Sequence, residues 1–213
     1  MSREKQIREQ YEATDHADNY ADQRWTETRH ARKTNQWELA AVEELIRRVN
    51  ESGIGRLQTV LDMPCGHGRL APVLGAHCQT LIQADLAMSM LQRRADHAAE
   101  QRAMQASLLR IPLADQCVDL AMCMRVLHHF ANPEPRIQIL SELARVSRYA
   151  IVSYYDAGSF PHLRDRIRRR QRTLYPVSNS QFGAEAKRAG FRVIEKRFRR
   201  RWFSFQVLAL LRK

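Results

Sequence analysis

The residues of this chain that could do chemistry fall in four short stretches. In the first, Thr59 to Gly75 (TVLDMPCGHGRLAPVLG), Asp62 is followed by Gly66 and Gly68. Glycines in such a turn let the backbone approach a ligand that a Cβ would push away, as a nucleotide-like cofactor requires. Asp62 narrows the choice of cofactor, because a strand-end carboxylate repels a pyrophosphate and attracts a cation. In the second stretch Asp85 lies about 20 residues beyond the turn, where one carboxylate can accept from both hydroxyls of a ribose diol. The same acid could instead cap a helix. In the third, Arg125 precedes His128 and His129. Imidazole titrates near neutral pH and could take a proton from a hydroxyl. In the fourth, Tyr154, Tyr155 and Asp156 end an apolar run and are candidate substrate contacts.

The elements that must position these groups can be read in order. Residues 1–34 are polar with scattered Tyr11, Tyr20 and Trp25. Asn35 is the expected cap of a helix in which Trp37, Ala41, Leu45 and Val49 form a stripe widened by Val42 and Ile46, with Glu38 three residues after the cap. Val60 and Leu61 form a strand, and Arg69 to Leu74 a helix whose N-terminus points at the glycine turn. Thr80 to Ala84 is a second strand ending at Asp85, with Leu86 to Leu91 entering a helix, and residues 102–108 are a third. Cys117 to Met124 is apolar enough for a strand buried on both faces. Pro133 to Ala144 reads as a helix with Ile137, Leu140 and Leu143 inward. A turn at Ser147 to Ala150 leads to a strand over Tyr149 to Tyr155. Ser178-Asn-Ser-Gln181 reads as a capping box opening a helix through Phe182 and Ala186 that stops at Gly190. Phe191 to Phe198 and Trp202 to Leu211 read as a closing antiparallel hairpin. Strands alternating with helices predict a doubly wound α/β fold.

Charge is informative once located. The formal net charge is +12, yet residues 160–213 hold 16 of the 35 Lys and Arg and only 3 of the 23 Asp and Glu. All the excess is C-terminal, which suggests an anionic partner: a phosphorylated substrate, RNA or an acidic membrane face. Arginines concentrate in Gly158 to Pro176, Arg164 and Arg168 among them. Four cysteines without a C-x-x-C pair imply reduced, buried thiols and no metal site. No apolar run is long enough to span a bilayer, so a cytoplasmic location is expected, with peripheral membrane contact open.

The string Val60-Leu61-Asp62-x-x-Cys65-Gly66-x-Gly68 resembles the first motif of class I S-adenosylmethionine-dependent methyltransferases, in particular their type 11/25-like small-molecule members. The resemblance implies a seven-stranded, mostly parallel sheet with an antiparallel last strand, and S-adenosyl-L-methionine as cofactor. It also implies that Asp62, Cys65, Gly66 and Gly68 hold the methionyl and ribose portion, Asp85 and Leu86 the ribose, and Ser107 or Leu108 the adenine edge. Leu127-His128-His129 resembles the region after the family's fourth strand. Arg125 would then neighbour the cofactor's methionyl end or contact substrate, and a histidine would be base or structural hydrogen-bonder, since in-line methyl transfer can proceed on alignment alone. Ala189-Gly190-Phe191 before the hairpin is similar too. On this resemblance residues 1–35 form a lid segment and 36–213 the methyltransferase domain, with a basic insertion at about 158–177 flanking the acceptor. Tyr154, Tyr155, Arg164 and Arg168 are its candidate contacts. No Asn/Asp-Pro-Pro-Tyr/Phe string follows the fourth strand, which disfavours nucleobase methylation. A small-molecule or lipid-linked, anionic acceptor is expected. An RNA methyltransferase and a non-catalytic cofactor-binding subunit remain as alternatives, and a dinucleotide oxidoreductase is disfavoured by Asp62.

Overall fold

The computed structural model describes residues 9, 25, 27–92, 100–159, 174–199 and 206–213. The helices are α1 (Arg29–Val49), α2 (Ala71–His77), α3 (Met88–Gln92), α4 (Pro133–Val146) and α5 (Asn179–Arg188). The strands are β1 (Leu57–Asp62), β2 (Cys78–Asp85), β3 (Glu100–Gln105), β4 (Val118–Cys123), β5 (Ser147–Tyr155), β6 (Arg192–Phe198) and β7 (Gln206–Arg212). They form a seven-stranded mixed sheet in the order β3-β2-β1-β4-β5-β7-β6, with β7 antiparallel to both its neighbours. This is the doubly wound α/β class that the alternation of elements predicts. The chain divides into two compact units, residues 1–108 and 109–213.

In the first unit β1, β2 and β3 pair in parallel, with Asp62 opposite Gln83 and Asp85 opposite Gln105. The inward stripe of α1 is as the periodicity predicts: Ala41, Val42, Leu45, Ile46 and Val49 are all buried. Its start is not. Thr28 caps the helix, its Oγ accepting from the Ala31 N–H at 3.0 Å. The expected cap Asn35 therefore lies inside α1, one turn from Glu38 on the same face. The helix expected from Arg69 begins at Ala71, and β3 ends at Gln105, so Ser107 lies beyond the strand rather than within it.

In the second unit β4 pairs in parallel with β5, and β7 lies between β5 and β6. Nearly all of β5 and β7 is buried, since both faces of these inner strands are covered. The turn expected at Ser147 to Ala150 does not form, because α4 runs to Val146 and β5 begins at Ser147. The Ser178 hydroxyl accepts from the Gln181 N–H at 3.1 Å, as its capping box requires. Gln181 does not complete the reciprocal half; its amide donates to Glu185. Of the four cysteines, all free, Cys117 is exposed rather than buried because it precedes β4. Residues 202–205 of the expected last strand lie outside the described residues.

Helices α4 and α5 of this unit are joined by a buried ion pair. Arg136, 1% exposed, donates to both carboxylate oxygens of Glu185 at 2.9 and 2.5 Å, and to the carbonyls of Phe130 and Ala131 at 2.6 and 3.0 Å. Removing one partner strands a buried charge, which typically costs about 3–5 kcal/mol. Glu185→Gln and Glu185→Ala should each lower the urea-unfolding free energy by an amount of that order, whereas Arg136→Met with Glu185→Leu should cost clearly less than the sum of the singles.

Candidate functional site

The first unit gathers its chemistry-bearing groups at the C-terminal ends of β1, β2 and β3. Asp62 ends β1 and is 1% exposed, with no hydrogen-bond partner for either carboxylate oxygen. Burial pushes its carboxyl up to about 8; the charge of Arg69 works against that rise and the charge of Asp85 adds to it. Gln83, its register partner on β2, is fully buried with both amide atoms likewise unpartnered. Partners in parallel register project to the same face, so an unsatisfied carboxylate and an unsatisfied amide lie side by side at this sheet edge. Leaving such groups unmade costs about 1–3 kcal/mol each.

The glycine turn follows. Gly66 and Gly68 have φ of 55° and 80°, a region that side-chain-bearing residues rarely adopt. No heavy atom stands within 4 Å of where a Cβ on Gly66 would be, so the turn is open on that side. The turn is held from β2. One Asp85 oxygen accepts from the Gly66 N–H at 2.9 Å, the other from the Ala87 N–H at 3.0 Å, and the Cys65 N–H donates to the Ala84 carbonyl at 2.9 Å. Burial raises the Asp85 carboxyl while the amides of Ala87, Gly66 and Leu86 oppose the rise. Asp85 is thus first a fastener of the turn; each oxygen keeps a further lone pair for a hydroxyl. The Ala106 N–H donates to the Asp85 carbonyl, and Gln105 to that of Leu86, both at 3.0 Å, which brings Ser107 and Leu108 to the same edge.

Arg69 ties this turn to the N-terminal helix. Its guanidinium donates to Asn35 and to Glu38, each at 2.6 Å, and lies 3.9 Å from the centre of the Trp25 ring. Glu38 is fully buried and Trp25 is 6% exposed. Sequence reasoning missed Arg69 as a site residue. Asn35 and Glu38 at i and i+3 were legible as a pair, but not as partners of a cation 34 and 31 residues on.

In the second unit Arg125 leaves β4 with a left-handed φ of 60°, its N–H donating to the Ser153 hydroxyl at 2.6 Å. A short 3-10 turn carries His128 and His129. The His128 ring is 5% exposed and stacks face to face on Tyr155, centroids 4.1 Å apart. His129 is the more exposed of the two. Tyr154 does not offer the acceptor contact expected of it: alternation along β5 turns it to the opposite face from Tyr155, where it is fully buried, stacks on Phe182 and donates its hydroxyl to Asn179. Arg164 and Arg168 lie outside the described residues.

A mostly parallel sheet with a glycine turn after β1, a strand-end acid after β2 and a terminal antiparallel pair is the arrangement of the class I methyltransferase fold. Residues 61–149 match the model of the methyltransferase domain family. An uncharacterised methyltransferase of Schizosaccharomyces pombe is 27% identical over 113 residues, which are 53% of this chain and 45% of that protein. A second protein of that yeast, methyltransferase-like, is 27% identical over 100 residues, 46% of this chain and 39% of its own. The matches thus span less than half the length of these curated relatives. The magnesium protoporphyrin IX methyltransferase of Synechocystis PCC 6803 with bound S-adenosylhomocysteine has the same fold, with a TM-score of 0.79 at 15% identity over 98% of this chain and 99% of that one. A putative methyltransferase of Haloferax volcanii in complex with the Trm112 activator gives 0.67 at 16% identity, over 97% and 96%. Residues 61–149 thus match a methyltransferase domain, and the chain has the fold of methyltransferases solved with S-adenosylmethionine or S-adenosylhomocysteine bound.

The first unit fits that group. An orphaned, buried carboxylate at Asp62 suits an ammonium, and the open side of Gly66 leaves room for close approach. Two predictions follow from the geometry. Asp62 binds its proton more tightly folded than unfolded, so the wild type loses stability relative to Asp62→Asn as pH rises from about 4 to about 8, and nothing further above that; urea titrations across this range measure it. With Trp37 and Trp202 replaced by Phe, Arg69→Met should shift Trp25 emission to longer wavelength and raise its quenching by acrylamide.

Proposed function

We propose that this chain transfers a methyl group from S-adenosylmethionine to a small-molecule or lipid-linked, anionic acceptor. The observation that carries the cofactor half is the unpartnered Asp62 carboxylate beneath a glycine turn fastened by Asp85. S-adenosylmethionine supplies an electrophilic methyl on a sulfonium. The work left to the protein is positioning. Asp62 takes the ammonium, Gly66 and Gly68 present backbone to the methionyl and ribose portion with Cys65, and Asp85 with Leu86 receives the ribose diol on lone pairs not used by the turn. Ser107 and Leu108 border the adenine. Arg125 is assigned to an anionic group, of cofactor or acceptor. His129 is the better proton acceptor of the two histidines, because His128 is buried against Tyr155.

For the acceptor, support comes from three sides. The stretch around Arg164 and Arg168, residues 158–176, holds six arginines and a single acid, Asp165. No Asn/Asp-Pro-Pro-Tyr/Phe string follows β4. The enzyme of Synechocystis that shares the fold acts on magnesium protoporphyrin IX, a small molecule.

Calorimetric titration with S-adenosylhomocysteine in buffers of different ionisation enthalpy tests the cofactor half. At pH 7 Asp62 is protonated in the free protein and ionised beside an ammonium, so binding should release up to one proton and tighten as pH rises towards about 8. Asp62→Asn should release none, and Asp85→Ala should lose binding. Absence of binding by the wild type would leave the fold without the function. Transfer of labelled methyl should then favour anionic amphiphiles over RNA; labelling of RNA alone, falling steeply with salt, would replace the acceptor assignment.

A further inference from the structure

Of the described C-terminal cations, Lys196 stands 5.9 Å from the Tyr154 ring and Arg197 lies on the same stretch of β6, but another group gathers at the far end of these strands. In the second unit β5 and β6 both start, and β7 ends, at one end of the sheet: Tyr149 is opposite Arg212, and Arg212 is opposite Arg192. Arg148 lies beside them, with its carbonyl accepting from the Lys213 N–H at 3.1 Å. Helix α5 runs to this end too, so its last turn adds Lys187 and Arg188 just before Arg192. Six cations from three strands and a helix end therefore share one face. Arg148, Lys187, Arg188, Arg192 and Lys213 are exposed. None of the six forms an ion pair among the described residues; Arg148 and Arg212 instead flank the buried Tyr149 ring, at 5.9 and 5.7 Å. The acids at this end are few. Asp115 is engaged by Arg145, and Asp119 precedes Leu120 at the start of β4.

Along β5 this face is seven residues from Tyr155, about 23 Å at strand rise. That is well beyond a Debye length of about 8 Å at physiological salt. Such a cluster neither steers nor holds a molecule at His128 and Tyr155. An unneutralised set of like charges raises the free energy of the folded chain, and an anionic surface relieves it.

The geometry points to this end of the second unit as a docking face for an anionic lipid bilayer, formed by Arg148, Lys187, Arg188, Arg192, Arg212 and Lys213. Ile194, on the same edge strand two residues from Arg192, decides between bilayer and nucleic acid. It is 44% exposed at the irregularity between Val193 and Glu195. An aliphatic side chain among cations can enter the headgroup region, whereas RNA binding without sequence reading relies on aromatic side chains for stacking. Tyr149 and Phe191, the aromatics beside these cations among the described residues, are 2% and 3% exposed and unable to stack. No helix among the described residues is long and apolar enough to cross a membrane, so the contact is peripheral.

Co-sedimentation of the full chain with vesicles tests this without reference to methyl transfer. Wild type should bind vesicles of phosphatidylcholine containing phosphatidylglycerol, leave those of phosphatidylcholine alone in the supernatant, and dissociate at high salt. Each basic residue near an anionic surface contributes roughly fivefold, so K187Q/R188Q/R192Q/K213Q should weaken binding by roughly several hundredfold. These side chains are exposed, and a melting temperature no lower than that of wild type verifies folding. Ile194→Glu should weaken binding as well, while R47Q/R48Q in α1 should not. The proposal is overturned if the quadruple variant binds like wild type, if the loss follows R168Q/R169Q/R170Q instead, or if the same four residues bind an RNA oligonucleotide and not the vesicles.

Discussion

The cofactor edge of this protein depends on one carboxylate. Asp85 spans from the end of β2 to the amides of Gly66 and Ala87, so a single side chain fixes the turn after β1 and the turn after β2 against each other. The two glycines of the turn adopt positive φ, a conformation that their own chain segment does not enforce. A hydrogen bond donated by the Gly66 N–H to the buried Asp85 carboxylate supplies that enforcement at Gly66. Because one oxygen goes to each amide, Asp85 is held in a single orientation, and its remaining lone pairs are aimed before any hydroxyl arrives. Preorganisation of this kind removes an ordering cost from binding.

Asp62 is treated in the opposite way. It is buried beside Gln83 with its oxygens unsatisfied, and burial keeps it protonated well above the usual carboxylate range. The fold stores an unfavourable interaction here that a cation relieves. Arg69 moderates it from a distance and is itself engaged by Asn35, Glu38 and Trp25. The guanidinium therefore belongs to two tasks, as counter-charge for the strand end and as anchor for α1 and Trp25. In the second unit the buried Arg136–Glu185 contact is instead paired on both carboxylate oxygens, and it ties two helices without reserving anything for a ligand.

The positive charge of the C-terminal quarter also divides by place. A sequence is one-dimensional, so its 16 basic residues after position 159 look like one region. The hairpin and α5 carry part of them to the end of the sheet far from Tyr155, because β6 starts where β5 starts. What reads as a single basic segment places its described β6 cations toward both ends of that strand, Arg192 at one and Arg197 at the other.

Periodicity and turn chemistry were enough to place the fold. The alternation of apolar strands with amphipathic helices, the Asp62 and glycine turn, the strand-end Asp85 and the closing hairpin were all legible, because each depends on residue type at short spacing. Helix limits were less so: Asn35 looks like a cap, but Thr28 is also a good one and the helix takes the earlier. Three features were decided by tertiary structure alone. Arg69 finds Glu38 across 31 residues, Asp62 loses its solvent and faces Gln83, and Tyr154 turns inward while its neighbour Tyr155 stacks on His128. The reason is common to them. Hydrophobic pattern and local spacing report which face of an element is covered, but not which polar groups the covering brings into contact, and it is those contacts that set ionisation, orientation and access.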